Sequence, residues 1–141
     1  MGSVDDIKLF DLTEIKVEGG NIIKILNKDD SHFKGFGEIY FSNVDHKKIK
    51  AWKFHKHMHL NLFVFRGKIK FVFFDENSVL DVVSSEDNYQ LIHVPPRIWF
   101  GFQGLDTGTN TLLNIADIRH DMNEIERKDL KEINFDWGTE I

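Results

Sequence analysis

Residues 50 to 74 read Lys50-Ala-Trp-Lys-Phe-His-Lys-His-Met-His-Leu-Asn-Leu-Phe-Val-Phe-Arg-Gly-Lys-Ile-Lys-Phe-Val-Phe-Phe74, and this stretch decides the fold. A polar cluster runs directly into the strongest β signal of the chain. Lys53, His55, His57 and His59 recur at a spacing of two, so an unbroken strand would project all four from one face. From Leu60 onward the residues are largely Leu, Phe, Val and Ile. The main interruption is Arg66-Gly67-Lys68, which reads as a hairpin turn with Gly67 supplying a positive φ. On this reading two apolar strands pair with each other just past a basic rim.

Outward from this stretch the same rhythm continues. Ile7 to Leu26 alternates apolar and polar residues in short bursts around Gly19-Gly20, the pattern of an N-terminal hairpin. Phe36 to Val44 is a strand, and Asp45-His-Lys-Lys48 is the loop into the opening stretch. Strands at Val79 to Val83, Tyr89 to Val94, Ile98 to Phe102 and Thr111 to Ile118 are separated by turn clusters and by Pro95-Pro96. Eight or nine short strands at regular intervals indicate an all-β sandwich or barrel. Met122 to Ile133, acidic first and basic later, has a helical pattern and predicts a short C-terminal helical segment.

Composition narrows the class. At 141 residues the chain fits one domain, with residues 1–30 as N-terminal strands, 36–118 as the core and 119–141 as a tail. Thirteen Phe and three Trp favour an aromatic-rich β interior over a helical bundle. With no Cys, disulfides, thiolate metal sites and Cys nucleophiles are excluded. A formal net charge of −5 argues against a general nucleic-acid binder. No apolar run approaches the length of a membrane span, and the N-terminus lacks the order of a signal peptide, so the default expectation is a soluble cytoplasmic protein.

Gly37-Glu-Ile-Tyr-Phe-Ser42, Lys50-Ala-Trp-Lys-Phe-His-Lys56, the Gly67 turn, Val94-Pro-Pro-Arg-Ile-Trp-Phe-Gly-Phe102 and Leu112-Leu-Asn114 fall in a fixed order over roughly residues 36 to 120. In that order and spacing the chain resembles the RmlC-like cupins that act on nucleotide sugars, both the dTDP-4-dehydrorhamnose 3,5-epimerases and the smaller dTDP-sugar 3,4-ketoisomerases. The resemblance implies a jelly-roll barrel and a homodimer with exchanged N-terminal strands. It also implies a nucleotide-diphosphate sugar as partner, neither metal nor organic cofactor, and a role in surface polysaccharide biosynthesis.

Metal-binding cupins carry a His-x-His, a Glu and a further His. Counting back from Gly67 puts Lys53, His55 and Leu60 on the first three of those positions, and the Pro-Pro element puts Phe100 on the fourth. One cation and two apolar groups make a poor divalent site, so no metal is expected, with a His55, His57 and His59 triplet as the competing metal reading. The ketoisomerase motif Arg-Gly-x-His-Ala-His-Lys aligns without a gap, placing Lys50 on its Arg, Lys53 on its first His and His55 on its second. In the epimerases the base His also falls on Lys53, their catalytic Lys near Leu60 and their Tyr acid near Leu113.

Enolising a keto sugar needs a base near the carbon beside the ketone and a donor or cation at its oxygen. Lys53 as electrophilic cation with His55 as base asks for the smallest pKa shifts. Lys53 as the base, and a pocket that binds without catalysis, are the alternatives. Tyr40 offers a hydroxyl for the second proton. Lys50 and Arg97 are candidate diphosphate ligands, Trp99 and Phe102 candidate stacking groups, and His57, His59 and Arg119 further candidate substrate contacts. His93 reads as a core or rim residue. The leading expectation is an epimerase of a 4-keto-6-deoxy sugar, with a 3,4-ketoisomerase and a non-catalytic nucleotide-sugar-binding cupin behind it.

Overall fold

A computed structural model describes residues 1–139, built around two five-stranded antiparallel sheets packed face to face. The first sheet has the order β1 (Lys8–Asp11), β9 (Gln90–Val94), β6 (Leu60–Arg66), β11 (Thr109–Ala116) and β4 (Glu38–Asp45). The second has the order β12 (Ile125–Arg127), β5 (Ile49–His55), β10 (Trp99–Gly104), β7 (Lys68–Phe74) and β8 (Val79–Ser85). A separate hairpin joins β2 (Glu14–Val17) to β3 (Gly20–Ile23) across the Glu18-Gly19 turn. From β4 to β12 the chain changes sheet at every connection except β7 to β8. That is the winding of an RmlC-like jelly roll, the cupin architecture that the sequence predicts.

This winding corrects the reading of Arg66-Gly67-Lys68. β6 and β7 do not pair; they belong to opposite sheets, and Gly67 is the corner between them. Gly67 has φ 76°, and the Asn110 side chain fills the inside of the bend, where a Cβ on Gly67 would lie 2.2 Å from Asn110 Oδ1. That oxygen accepts the Lys68 backbone N–H at 2.9 Å. The carboxamide thus satisfies a backbone donor that a hairpin partner would otherwise have taken.

The run after Leu60 alternates between the two sides of each sheet, and its inward residues form the main core. Leu60, Leu62, Val64, Ile69, Phe71 and Phe73 are almost completely buried there with Ile92, Ile98 and Leu112. Each such side chain contributes roughly 1.5–3 kcal/mol by leaving water. A second cluster lies outside the second sheet, where Trp52, Val72 and Trp137 are buried with Phe74, Trp99, Leu130, Ile133 and Phe135. The C-terminal segment is therefore a strap across that face, with Trp137 5.5 Å from Trp52 between ring centres.

The predicted C-terminal helical segment takes the form of two three-residue 3₁₀ turns, Met122–Glu124 and Leu130–Glu132, with β12 between them. Pairing with the open edge of β5 and burial of Glu124 override the local helical pattern. Among the described residues no helix is long and apolar enough to cross a membrane.

Candidate active site

A cavity of about 770 Å³ is lined by residues of both sheets. Its floor is Leu62 from one sheet and Phe71 from the other, each at most 1 % exposed, so the ligand-facing space rests directly on the core. Strand β4 contributes Tyr40 and Ser42, β11 Asn114, β10 Phe100 and Phe102, and β5 Lys50, Lys53 and His55.

Lys50 and Lys53, three residues apart, would point to opposite faces of a regular strand. A bulge restores them to one side. Phe100 pairs with Lys53, Gly101 with Ala51 and Phe102 with Lys50, so Trp52 is passed over in the ladder to β10. Trp52 bonds on its other edge instead: its N–H donates to the Lys128 carbonyl at 3.0 Å and its carbonyl accepts the Lys128 N–H at 3.2 Å. Its indole N–H donates to the Leu130 carbonyl at 3.0 Å. These bonds carry Arg127, Lys128, Asp129 and Glu132 to the cavity wall.

His55 ends β5 and is 6 % exposed. Its Nδ1 is hydrogen-bonded to Oε1 of Glu124, itself 4 % exposed, while Glu124 Oε2 accepts the backbone N–H groups of His57 at 3.2 Å and Met58 at 3.3 Å. The buried carboxylate thus has donors on both oxygens, and it fixes His55 with Nδ1 protonated and Nε2 free to accept a proton. Burial pushes the pKa of His55 below the usual imidazole range, and the hydrogen bond and charge of Glu124 partly restore it. The outcome is a ring held neutral, as a general base requires.

Burial also lowers the pKa of Lys53, with Arg127 and Lys50 pushing the same way and Glu124 opposing them. Across the cavity the Tyr40 hydroxyl accepts from Asn114 Nδ2 at 2.9 Å, leaving its own proton to donate inward. Burial and the nearby Glu38 carboxylate raise its pKa, which keeps the phenol protonated. The buried Oδ1 of Asn114 has no hydrogen-bond partner among the described residues. His55 and the Tyr40 hydroxyl therefore face the cavity from opposite sheets, with the Lys53 side chain on the same strand face as His55.

Of the residues singled out in the sequence, Lys50, Lys53, His55, Tyr40 and Phe102 meet in this cavity. His57, His59, Arg97, Trp99 and Arg119 do not line it. The strand stops at His55 because Glu124 captures the next backbone donors, so the spacing of two does not carry on. His57 is exposed. His59 turns away to Asp117, whose carboxylate accepts its backbone N–H at 2.7 Å and lies 2.9 Å from its Nδ1. The buried His93 stacks on it with ring centres 5.8 Å apart. Arg97, at φ 70°, lies over the Phe54 ring at 5.5 Å. Trp99 faces the strap side, 5.1 Å from Phe54 and beneath Lys128 Nζ at 5.0 Å. Arg119 is exposed in the loop after β11. Among the described residues no three His, Asp or Glu side chains come together at metal-ligand spacing.

Sequence reasoning missed Glu124, Arg127, Lys128 and Asn114. Asn114 carried a signal, a polar residue between Leu113 and Ile115 on an inward-facing strand position. Glu124 and Arg127 carried none, because their role depends on a pairing with β5 that the local pattern does not announce.

Comparisons with known proteins bear on the fold and the family. A dTDP sugar isomerase from Desulfovibrio desulfuricans is 35 % identical and superposes with a TM-score of 0.87, covering 98 % of this chain and 94 % of that one. QdtA, a sugar 3,4-ketoisomerase from Thermoanaerobacterium thermosaccharolyticum solved in complex with TDP, is 20 % identical with a TM-score of 0.78 over 90 % of this chain and 91 % of that one, and shares the fold. The probable low-salt glycan biosynthesis epimerase Agl13 of Haloferax volcanii is 24 % identical over 100 % of this chain and 99 % of its own length. Residues 5–133 match the family described as FdtA: WxcM-like, C-terminal. The chain belongs to that WxcM-like, C-terminal family.

Proposed function

We propose that this protein is an isomerase of nucleoside-diphosphate keto sugars, acting as an epimerase of a 4-keto-6-deoxy sugar in glycan biosynthesis. The observation that carries the reading is the arrangement of acid and base. His55, made a base by Glu124, and the protonated Tyr40 project into one cavity from opposite sheets. Inverting a carbon beside a ketone needs a proton removed from one face of the ring and another delivered to the opposite face. Lys53 stabilises the enolate oxygen between the two steps. Lys50, Arg127 and Lys128 line the same cavity and supply positive charge for a diphosphate. The names of the relatives, a dTDP sugar isomerase and a glycan biosynthesis epimerase, support the same class.

A 3,4-ketoisomerase is the second reading, favoured by Lys53 and His55 sharing one strand face. A base and a cation on one side of the sugar serve to pass hydrogen between neighbouring carbons. The deciding experiment is NMR of a 4-keto-6-deoxyglucose nucleotide incubated with the protein in deuterated water. The epimerase exchanges hydrogen at C3 or C5, inverts that centre and keeps the ketone at C4. The ketoisomerase moves the carbonyl to C3. A nucleotide sugar that binds but shows neither change refutes catalysis and leaves a binding module.

The protein acts as a homodimer in this proposal. The part of the first sheet's outer face formed by β6, β11 and β4 exposes Ile39, Phe41 and Phe65, an apolar patch suited to a second copy.

A further inference from the structure

A second compartment of about 170 Å³ adjoins the cavity, and Tyr40, Lys53 and His55 line both spaces. The remaining walls of the two differ in charge. Lys50, Arg127 and Lys128 line only the large cavity. The annex has Glu38 and His120 on its wall, with Met58 and Ala116 as its apolar side.

The Gly37-Glu-Ile-Tyr motif explains how this wall is built. A Cβ at Gly37 would lie 2.2 Å from the Ile118 carbonyl carbon, so only glycine lets the segment after β11 pass this close to the start of β4. The close approach brings the Glu38 carboxylate within 3.0 Å of the His120 backbone N–H, which donates to it. One carboxylate oxygen is engaged there, and the side chain's negative charge is set at the rim of the annex.

The inference rests on the nucleotide-sugar reading. The diphosphate seats against the cations of the large cavity, and Tyr40, Lys53 and His55 mark where the reacting carbons lie. The part of the sugar beyond those carbons then extends into the annex toward Glu38. We propose that Glu38 is a specificity-determining residue: it rejects sugars that carry a carboxylate on their far side, and so restricts the substrate to neutral or amino sugars. Rejection by like charge in a partly enclosed site is a common route to selectivity. Lys53 attracts a carboxylate from the junction, but it stays in place when only Glu38 is varied.

The test measures calorimetric binding of thymidine diphosphate, its glucose conjugate and its glucuronate conjugate to the wild type and to Glu38→Gln, which keeps the acceptor oxygen for His120. The wild type is expected to bind the glucose conjugate at least about tenfold more tightly than the glucuronate. Glu38→Gln should bring that ratio to within about threefold, with thymidine diphosphate itself unaffected. Glu38→Lys should reverse the preference. A wild type that does not discriminate, or a ratio unchanged in both variants, overturns the assignment. Failure of thymidine diphosphate to bind the wild type at all would instead refute the nucleotide-sugar reading, and this inference with it.

Discussion

Replacing Glu124 by Gln tests whether His55 is a base prepared by its buried partner. The carboxylate offers two acceptor oxygens to three donors: His55 Nδ1–H and the backbone N–H groups of His57 and Met58. A carboxamide offers one oxygen, so at least one of these donors must face an NH₂ group. An unsatisfied buried donor costs about 1–3 kcal/mol, which lowers stability without abolishing the fold. The catalytic effect is larger. If the lone pair of His55 Nε2 is no longer held toward the substrate, most of the general-base contribution is lost, about 10²–10⁴-fold in kcat. Binding of thymidine diphosphate should be unchanged, because Lys50, Arg127 and Lys128 are untouched.

The pH profile supplies a second readout. Burial lowers the pKa of His55, and Glu124 raises it through its hydrogen bond and charge. Removing the charge lets the pKa fall further. The base works when neutral, so activity declines as the pH drops through its pKa, and the acidic limb of kcat/KM should move to lower pH in the variant. A folded Glu124→Gln protein with kcat within about threefold of wild type and an unmoved acidic limb would refute the reasoning.

Separate substitutions divide the two roles on β5. His55→Asn should leave less than about 1 % of wild-type kcat, and Lys53→Met should lower kcat by about 10²–10³-fold while the acidic limb moves to higher pH, because the charge of Lys53 helps hold the His55 pKa down; activity retained in both would dismiss the site. His93 lies outside the cavity, facing Asn61, His32, His59, Lys34 and Asp117, with its pKa lowered to about 4 chiefly by burial and then by His59. Its folded pKa is below the unfolded value, so the stability it confers is complete above about pH 6.5 and is lost as the pH falls toward 4, on the order of 3 kcal/mol in all. His93→Gln should flatten the pH dependence of urea unfolding across that window, and an unaltered slope would count against it. Phe41→Asp should convert the proposed dimer to monomer by light scattering, whereas a wild type already monomeric at micromolar concentration would remove the dimer.

The all-β architecture was legible because short alternating runs and turn clusters are local features, and local physics sets them. The path between sheets was not. A hairpin turn and an inter-sheet corner both want a left-handed glycine, and Gly67 gives the same signature for either; Asn110, far along the chain, decides. The site divides in the same way. Lys53 and His55 were readable as a pair on one strand face, and Tyr40 as a hydroxyl near them. The alternation that found them also swept in His57 and His59, past the point where Glu124 ends the strand. Trp99 shows a related limit: period two says that neighbours face opposite ways, not which way is inward. Glu124 looked like the acidic first turn of a helix, and its burial beside His55 follows from pairing at the edge of β5.

The strap that fastens Trp52 to Lys128 makes the cavity depend on residues far along the chain from β5. Glu124, Arg127 and Lys128 belong to the C-terminal part of the sequence, yet they prepare the base and supply much of the positive wall. Detaching the strap from β5 would strip the cavity of Arg127, Lys128 and the Glu124 carboxylate held on His55, while the inner strands of both sheets come from elsewhere in the chain.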